Sequence, residues 1–109
     1  MSIIDKETLD GIAINADGDS IRLFLSDHLD WNEEYTHLLM LQEKINSYIM
    51  FCENQQYKDI YKDLFVKYVI IEIHFLFEPT EAAVCFLDQV NRQLNEIGIF
   101  VEWKISEGD

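Results

Sequence analysis

The sequence predicts an α+β fold: a two-layer sandwich of order ββαβαβ, in which a four-stranded mixed sheet carries both helices on one face. Three observations point there. Apolar and polar residues alternate in four short stretches, the period of a half-buried strand. Two longer stretches place apolar residues at three- and four-residue steps, the period of a helix. About half of the 109 residues are apolar, with seven Phe, five Tyr and two Trp, so a core can form without staples. A chain of this length holds one compact unit, and residues 1–109 read as a single domain.

The elements follow in order. In "GIAIN" (11–15), Ile12 and Ile14 share one side. Asp17-Gly18 then marks a hairpin turn, because glycine accepts positive φ. "SIRLFLS" alternates again, with Ile21, Leu23 and Leu25 on one face. From about Glu33 to Asn54 the period becomes helical, with a stripe of Leu38, Leu41, Ile45, Tyr48, Ile49 and Cys52. Glu33, Glu34, Glu43, Lys44, Asn46, Ser47 and Glu53 fall largely off it. "QQYKDIYKDL" has no clear period, and a short helical turn fits it. "VKYVIIEIHFLF" is a strand with one apolar face (Val69, Ile71, Ile73, Phe75, Phe77) and one mixed face (Tyr68, Ile70, Glu72, His74, Leu76). Pro79 announces the second helix, whose stripe is Ala83, Leu87, Val90, Leu94 and Ile97, and Gly98 is placed to end it in a left-handed cap. "IFVEWKI" closes the sheet, with Ile99, Val101, Trp103 and Ile105 alternating against Phe100, Glu102 and Lys104. The last βαβ unit is expected to cross over right-handedly.

Composition excludes some functions. Twenty-one acids against eight bases give a net charge of −13, spread along the whole chain. Such a surface repels phosphate backbones and anionic lipid, so neither nucleic acid nor a membrane is an expected partner. It steers toward a basic protein, or it simply confers solubility. The start "MSIIDKETLD" lacks the basic and apolar regions of a signal peptide, and the ten-residue run "YVIIEIHFLF" is too short to span a bilayer. A cytoplasmic location is expected. Cys52 and Cys85 sit among apolar neighbours in helical patterns and read as buried, reduced thiols.

"SDHLDW" (26–31) concentrates carboxylates, an imidazole and an indole. Its structural reading is a helix start. Asp30 and Glu33 have capping-box spacing, with the Asp30 side chain accepting from the Glu33 amide. Asp27, Asp30, Glu33 and Glu34 put negative charge at the positive end of the helix dipole. Trp31 packs at the corner. The sharper reading is a metal site of His28, Asp30 and His37. Spacing opposes it: with Asp30 at the cap, seven residues of helix set His37 roughly 10 Å away along the axis. Pairing of His37 with Glu33 one turn earlier is simpler. No metal or cofactor is expected.

"NADGDS" places Asn15, Asp17 and Asp19 as a calcium loop would, but Gly18 comes two places early and Ser26 stands where a bidentate Glu is required. His74, two residues from Glu72, has the makings of a general base, yet no nucleophile or oxyanion device accompanies it. The fold prediction leaves one sheet face without helices. That face gathers Arg22, Phe24, Tyr68, Ile70, His74, Leu76, Phe100 and Lys104. It is either a solvated surface or an interface.

Asp10-Gly11-Ile12, then Ser26 through Trp31, then "HLLMLQEKIN" from His37 to Asn46 resemble the signature of a small bacterial family of unknown function. The resemblance spans most of the chain. It implies a bacterial cytoplasmic protein and adds no catalytic residue. The shared His37, Gln42, Glu43, Lys44 and Asn46 are polar residues that helix formation alone does not explain. The sequence therefore points first to a non-enzymatic interaction module, of immunity type or regulatory, that dimerises or docks a basic partner. The alternatives are a small metal-dependent enzyme and a ligand-sensing domain built on the SDHLDW/His37 region.

Overall fold

The computed structural model describes residues 9–55, 58 and 66–106. Its elements are β1 (Gly11–Ile14), β2 (Ser20–Asp27), α1 (Glu34–Glu53), β3 (Tyr68–Phe75), α2 (Glu81–Asn95) and β4 (Ile99–Ile105). The sheet order is β1-β2-β3-β4, antiparallel at β1/β2 and parallel at β2/β3 and β3/β4. The expected α+β order and mixed sheet are what the chain adopts. Most of "QQYKDIYKDL" lies outside the described residues.

Register explains the two faces. Ile21, Val69 and Ile99 lie abreast on neighbouring strands, as do Leu23, Ile71 and Val101. These rows bury against Leu41, Ile45 and Tyr48 of α1 and Leu87 and Leu94 of α2, in one core. Both helices therefore cover the same side of the sheet. Full burial of each large apolar side chain stabilises by about 1.5–3 kcal/mol, and Leu23, Leu25, Ile71, Ile73 and Phe75 are wholly enclosed.

Turn chemistry fixes the hairpin. Gly18 sits at φ +75°, and the loop closes through Gly18 N–H donating to the Asn15 carbonyl and Asn15 N–H to that of Ser20. The Asp17 carboxylate accepts from the Asp19 amide, the Ser20 hydroxyl and the Tyr68 hydroxyl. It is fully engaged as a turn residue. The hydrogen bond from Tyr68 does most to hold its carboxyl below the usual range.

The second helix starts as its sequence indicates, with Thr80 Oγ1 accepting from the Ala83 amide at 3.2 Å. Gly98 adopts φ +80° just past its end. Three details depart from expectation. Ile97 follows the helix and is 57% exposed. Trp103 and Ile105 lie on the helix-facing side of β4 but remain over a third exposed, because β4 alternates between buried and exposed only as far as Val101. Cys85 is exposed and Cys52 half-buried, and both are free thiols. Burial nevertheless pushes the Cys52 thiol up to about 12.

Candidate functional site

Among the described residues, chemically active side chains come together at the β2/α1 corner, further along α1 and on the uncovered sheet face. At the corner, β2 ends in Asp27, whose Oδ1 accepts from the Leu29 amide at 3.1 Å. Asp30 Oδ1 then accepts from the Asn32 amide at 3.1 Å. Two successive Asx turns thus reverse the chain before the helix begins. The capping box is not formed. Glu33 occupies the cap position without a side-chain hydrogen bond, and Asp30 is spent on its own turn.

The turns deliver His37 to the core, where it is 2% exposed. Its Nε2 lies 2.5 Å from Asp27 Oδ2, and its Nδ1 lies 2.9 Å from the Asp30 carbonyl oxygen. The expected pairing with the Glu33 side chain is replaced by this one; Glu33 contributes only its carbonyl, to the His37 amide. Trp31 stacks on the imidazole at 3.6 Å between centroids and 16° between planes, and its indole N–H donates to the Phe77 carbonyl at 3.4 Å.

This geometry limits the chemistry. A carbonyl only accepts, so Nδ1 carries a proton, and Nε2 shares one with the carboxylate. Neither nitrogen has a lone pair free for a substrate or an ion. Burial pushes the Asp27 carboxyl above its ordinary value, against the hydrogen bond and charge of His37 and the Leu29 amide. His28 and Asp30 are exposed, and the Asp30 carboxylate does not join His37. The His28, Asp30 and His37 trio is therefore not assembled. No group of three or more His, Cys, Asp or Glu among the described residues is arranged to hold a metal ion. The cleft beside His37, about 350 Å³, is lined by Leu29, Asp30, Asn32, Glu33, Thr36 and Met40.

A second buried charge lies further along α1. Lys44 is fully enclosed, contrary to its expected place off the stripe, and its Nζ donates to Asp10 Oδ1 at 3.3 Å. Asp10 Oδ2 accepts from the Ser26 amide at 2.8 Å. Tyr48 Oη donates to the Phe24 carbonyl at 2.5 Å and accepts from the Asp10 amide at 3.0 Å. Asp10, Lys44 and Tyr48 thereby fasten the entry of β1 to β2 and α1. The polar residues His37 and Lys44, unexplained by helix formation, are the interior ends of two tertiary contacts, an imidazole–carboxylate hydrogen bond and a lysine–carboxylate ion pair.

The uncovered face is laid out in rows. Ala13, Arg22, Ile70 and Phe100 lie abreast; so do Gly11, Phe24, Glu72 and Glu102, and then Ser26, His74 and Lys104. Gly11 leaves room for the Phe24 ring: a Cβ there would meet Phe24 Cδ2 at 3.2 Å. Glu72 is the hub. It accepts from Arg22 and His74, and Lys104 Nζ stands 3.7 Å away. Burial raises its carboxyl, but the hydrogen bonds from His74 and Arg22 and the charges of Arg22 and Lys104 outweigh that and leave it below the usual range. Arg22 also reaches Asn15 Oδ1 at 3.2 Å and Glu102 Oε2 at 3.4 Å. Around this network stand half-buried Phe24, Tyr68 and Ile70 and exposed Phe100, while Leu76, just past the end of β3, is exposed too. A groove of about 610 Å³ borders the face along β4, lined by Lys67, Tyr68, Ile70, Asn91, Phe100 and Glu102 among others.

Fold and surfaces define a class: a two-layer α+β protein with buried polar pairs in its interior and, among the described residues, one sheet face without helices. The chain belongs to the family of unknown function DUF6572, whose model matches residues 1–107. No curated protein and no solved structure matches it. Among the described residues, no helix is long and apolar enough to cross a membrane.

Proposed function

We propose that this chain is a non-enzymatic protein-interaction module that self-associates through the uncovered face of its sheet. The observation that carries this reading is the composition of that face. Phe24, Ile70 and Phe100 surround charges that compensate one another: Arg22 and Lys104 against Glu72 and Glu102. In a chain of net charge −13, this is a surface on which two copies meet without bringing like charge together. The helix side is different, since α1 exposes Glu43 and Glu53 and α2 exposes Glu81 and Asp88. Apolar contact of several such residues offsets the entropy of association.

The occupied nitrogens of His37 support the non-enzymatic half of the reading. The test is sedimentation equilibrium of the purified chain and of Phe24→Glu, with circular dichroism as the check on folding. A concentration-dependent dimer that Phe24→Glu weakens at least tenfold, with the fold retained, is the expected result. A dimer unaffected by Phe24→Glu, or a monomer throughout, would contradict it.

A further inference from the structure

Among the described residues, no strand pairs with the outer edge of β4. Gly98 C=O accepts from the Val69 amide and Ser106 N–H donates to the Phe75 carbonyl, so even-numbered residues of β4 direct their backbone groups toward β3. Val101 N–H points the other way, to Asn91 Oδ1 at 2.8 Å. Strand alternation therefore turns the N–H and C=O of Trp103 and Ile105 outward, along the sheet edge. Edge strands are commonly blunted by proline, a bulge or like charges. The segment Val101-Glu102-Trp103-Lys104-Ile105 has no proline and pairs regularly with β3 over its length. Its charges are of opposite sign and symmetric about Trp103.

We infer that β4 pairs antiparallel with β4 of a second copy, Trp103 opposite Trp103 on the two-fold axis. In that register Glu102 faces Lys104 of the second copy, and Lys104 faces its Glu102. Val101 faces Ile105, apolar against apolar. The charge pattern selects this register: shifting the axis to Lys104 sets Lys104 against itself, and to Glu102 sets Glu102 against itself. The exposed Trp103 and Ile105, which the described helices do not cover, lie at the contact. The Val101 amide keeps Asn91, while the Ile105 amide of the second copy donates to the Val101 carbonyl. The product is an eight-stranded sheet whose two uncovered faces lie side by side. This pairing stands without the face reading. If both hold, two such sheets pack face to face as a tetramer.

Charge reversal in single and mixed samples tests it. Glu102→Lys sets Lys against Lys across the edge, and Lys104→Glu sets Glu against Glu. Each variant alone should associate through the edge roughly tenfold more weakly than the parent chain. An equimolar mixture with one variant uniformly 15N-labelled should recover association as the heterodimer, which native mass spectrometry then resolves by mass. Amide exchange followed by NMR separates edge from face, because packing on the face leaves the outward amides of β4 in water. Protection of the Trp103 and Ile105 amides should rise with concentration, fall in each single variant and return in the mixture. Amides that exchange at one rate at every concentration, or a mixture that behaves as the sum of its components, would overturn the proposal. Phe24→Glu is the control: in it, protection of the Trp103 and Ile105 amides should still rise with concentration.

Discussion

Replacing His37 with alanine leaves the Asp27 carboxylate buried without its partner. In the folded chain Asp27 is 2% exposed, and its Oδ2 lies 2.5 Å from His37 Nε2. Removing the hydrogen-bonded partner of a buried carboxylate costs about 3–5 kcal/mol, because the carboxylate stays desolvated and unpaired. Loss of the Trp31 stack, worth about 0.5–1.5 kcal/mol, is part of that cost. A domain of this size has about 5–15 kcal/mol in total, so the change is readily measured. The sign of its pH dependence follows from Asp27. Its folded pKa lies above the unfolded 3.8, so the native state holds the proton more tightly and stability falls as pH rises through that window. Removing His37 removes two of the effects that oppose the rise, so the window widens. The deficit of His37→Ala should therefore shrink as pH is lowered from 7 toward 4. Asp27→Asn in the same background keeps an acceptor for the Leu29 amide and removes the charge, so it should recover about 1–3 kcal/mol at pH 7. Urea titrations at pH 7 and pH 5 are the assay. A loss below about 1 kcal/mol at pH 7, or a deficit that Asp27→Asn deepens, would refute the reasoning.

The other expectations are smaller. Glu72 is depressed below 4.5 in the folded state, so its network adds stability that is present above pH 4.5 and lost as pH falls through the folded value. Glu72→Gln should cost about 1 kcal/mol at pH 7 and flatten the stability profile between pH 6 and pH 3, measured by thermal unfolding. Thr80→Ala should cost about 1 kcal/mol through loss of the bond to the Ala83 amide. Asp30→Ala should cost less than Thr80→Ala in the same denaturant titration, because Asp30 closes a turn and caps nothing.

The fold was legible because its local signals agree. Asp17-Gly18 between alternating segments, a period of two in β3 and the Pro79-Thr80 start followed by a stripe ending near Gly98 all favour the elements observed. The corner was harder to read. "D-x-x-E" spacing suits a cap and suits two Asx turns, and only the path of the chain out of β2 decides between them. The burial of His37 and Lys44 is not legible locally, because polar residues on a helix read as solvent-facing while their partners lie 10 and 34 residues away in sequence. A signal was present: His37, Leu41, Lys44 and Tyr48 follow one another at three- and four-residue steps, in line with the apolar stripe. Two polar residues in register with a core face call for buried partners, and Asp27 and Asp10 are those partners. The uncovered face was legible in its membership but not in its wiring. Pairing of Arg22 with Glu72 depends on the parallel register of β2 and β3, which alternation alone does not specify.

Sedimentation equilibrium of the unmodified chain across a salt series tests the central claim most directly. Two copies that meet on a charge-compensated apolar face, while the rest of each surface is acidic, should associate more tightly as salt screens their long-range repulsion. The dissociation constant should fall between about 20 mM and 500 mM salt, a range over which the screening length shortens severalfold. A chain that stays monomeric at both ends of the series, at millimolar protein, would contradict it.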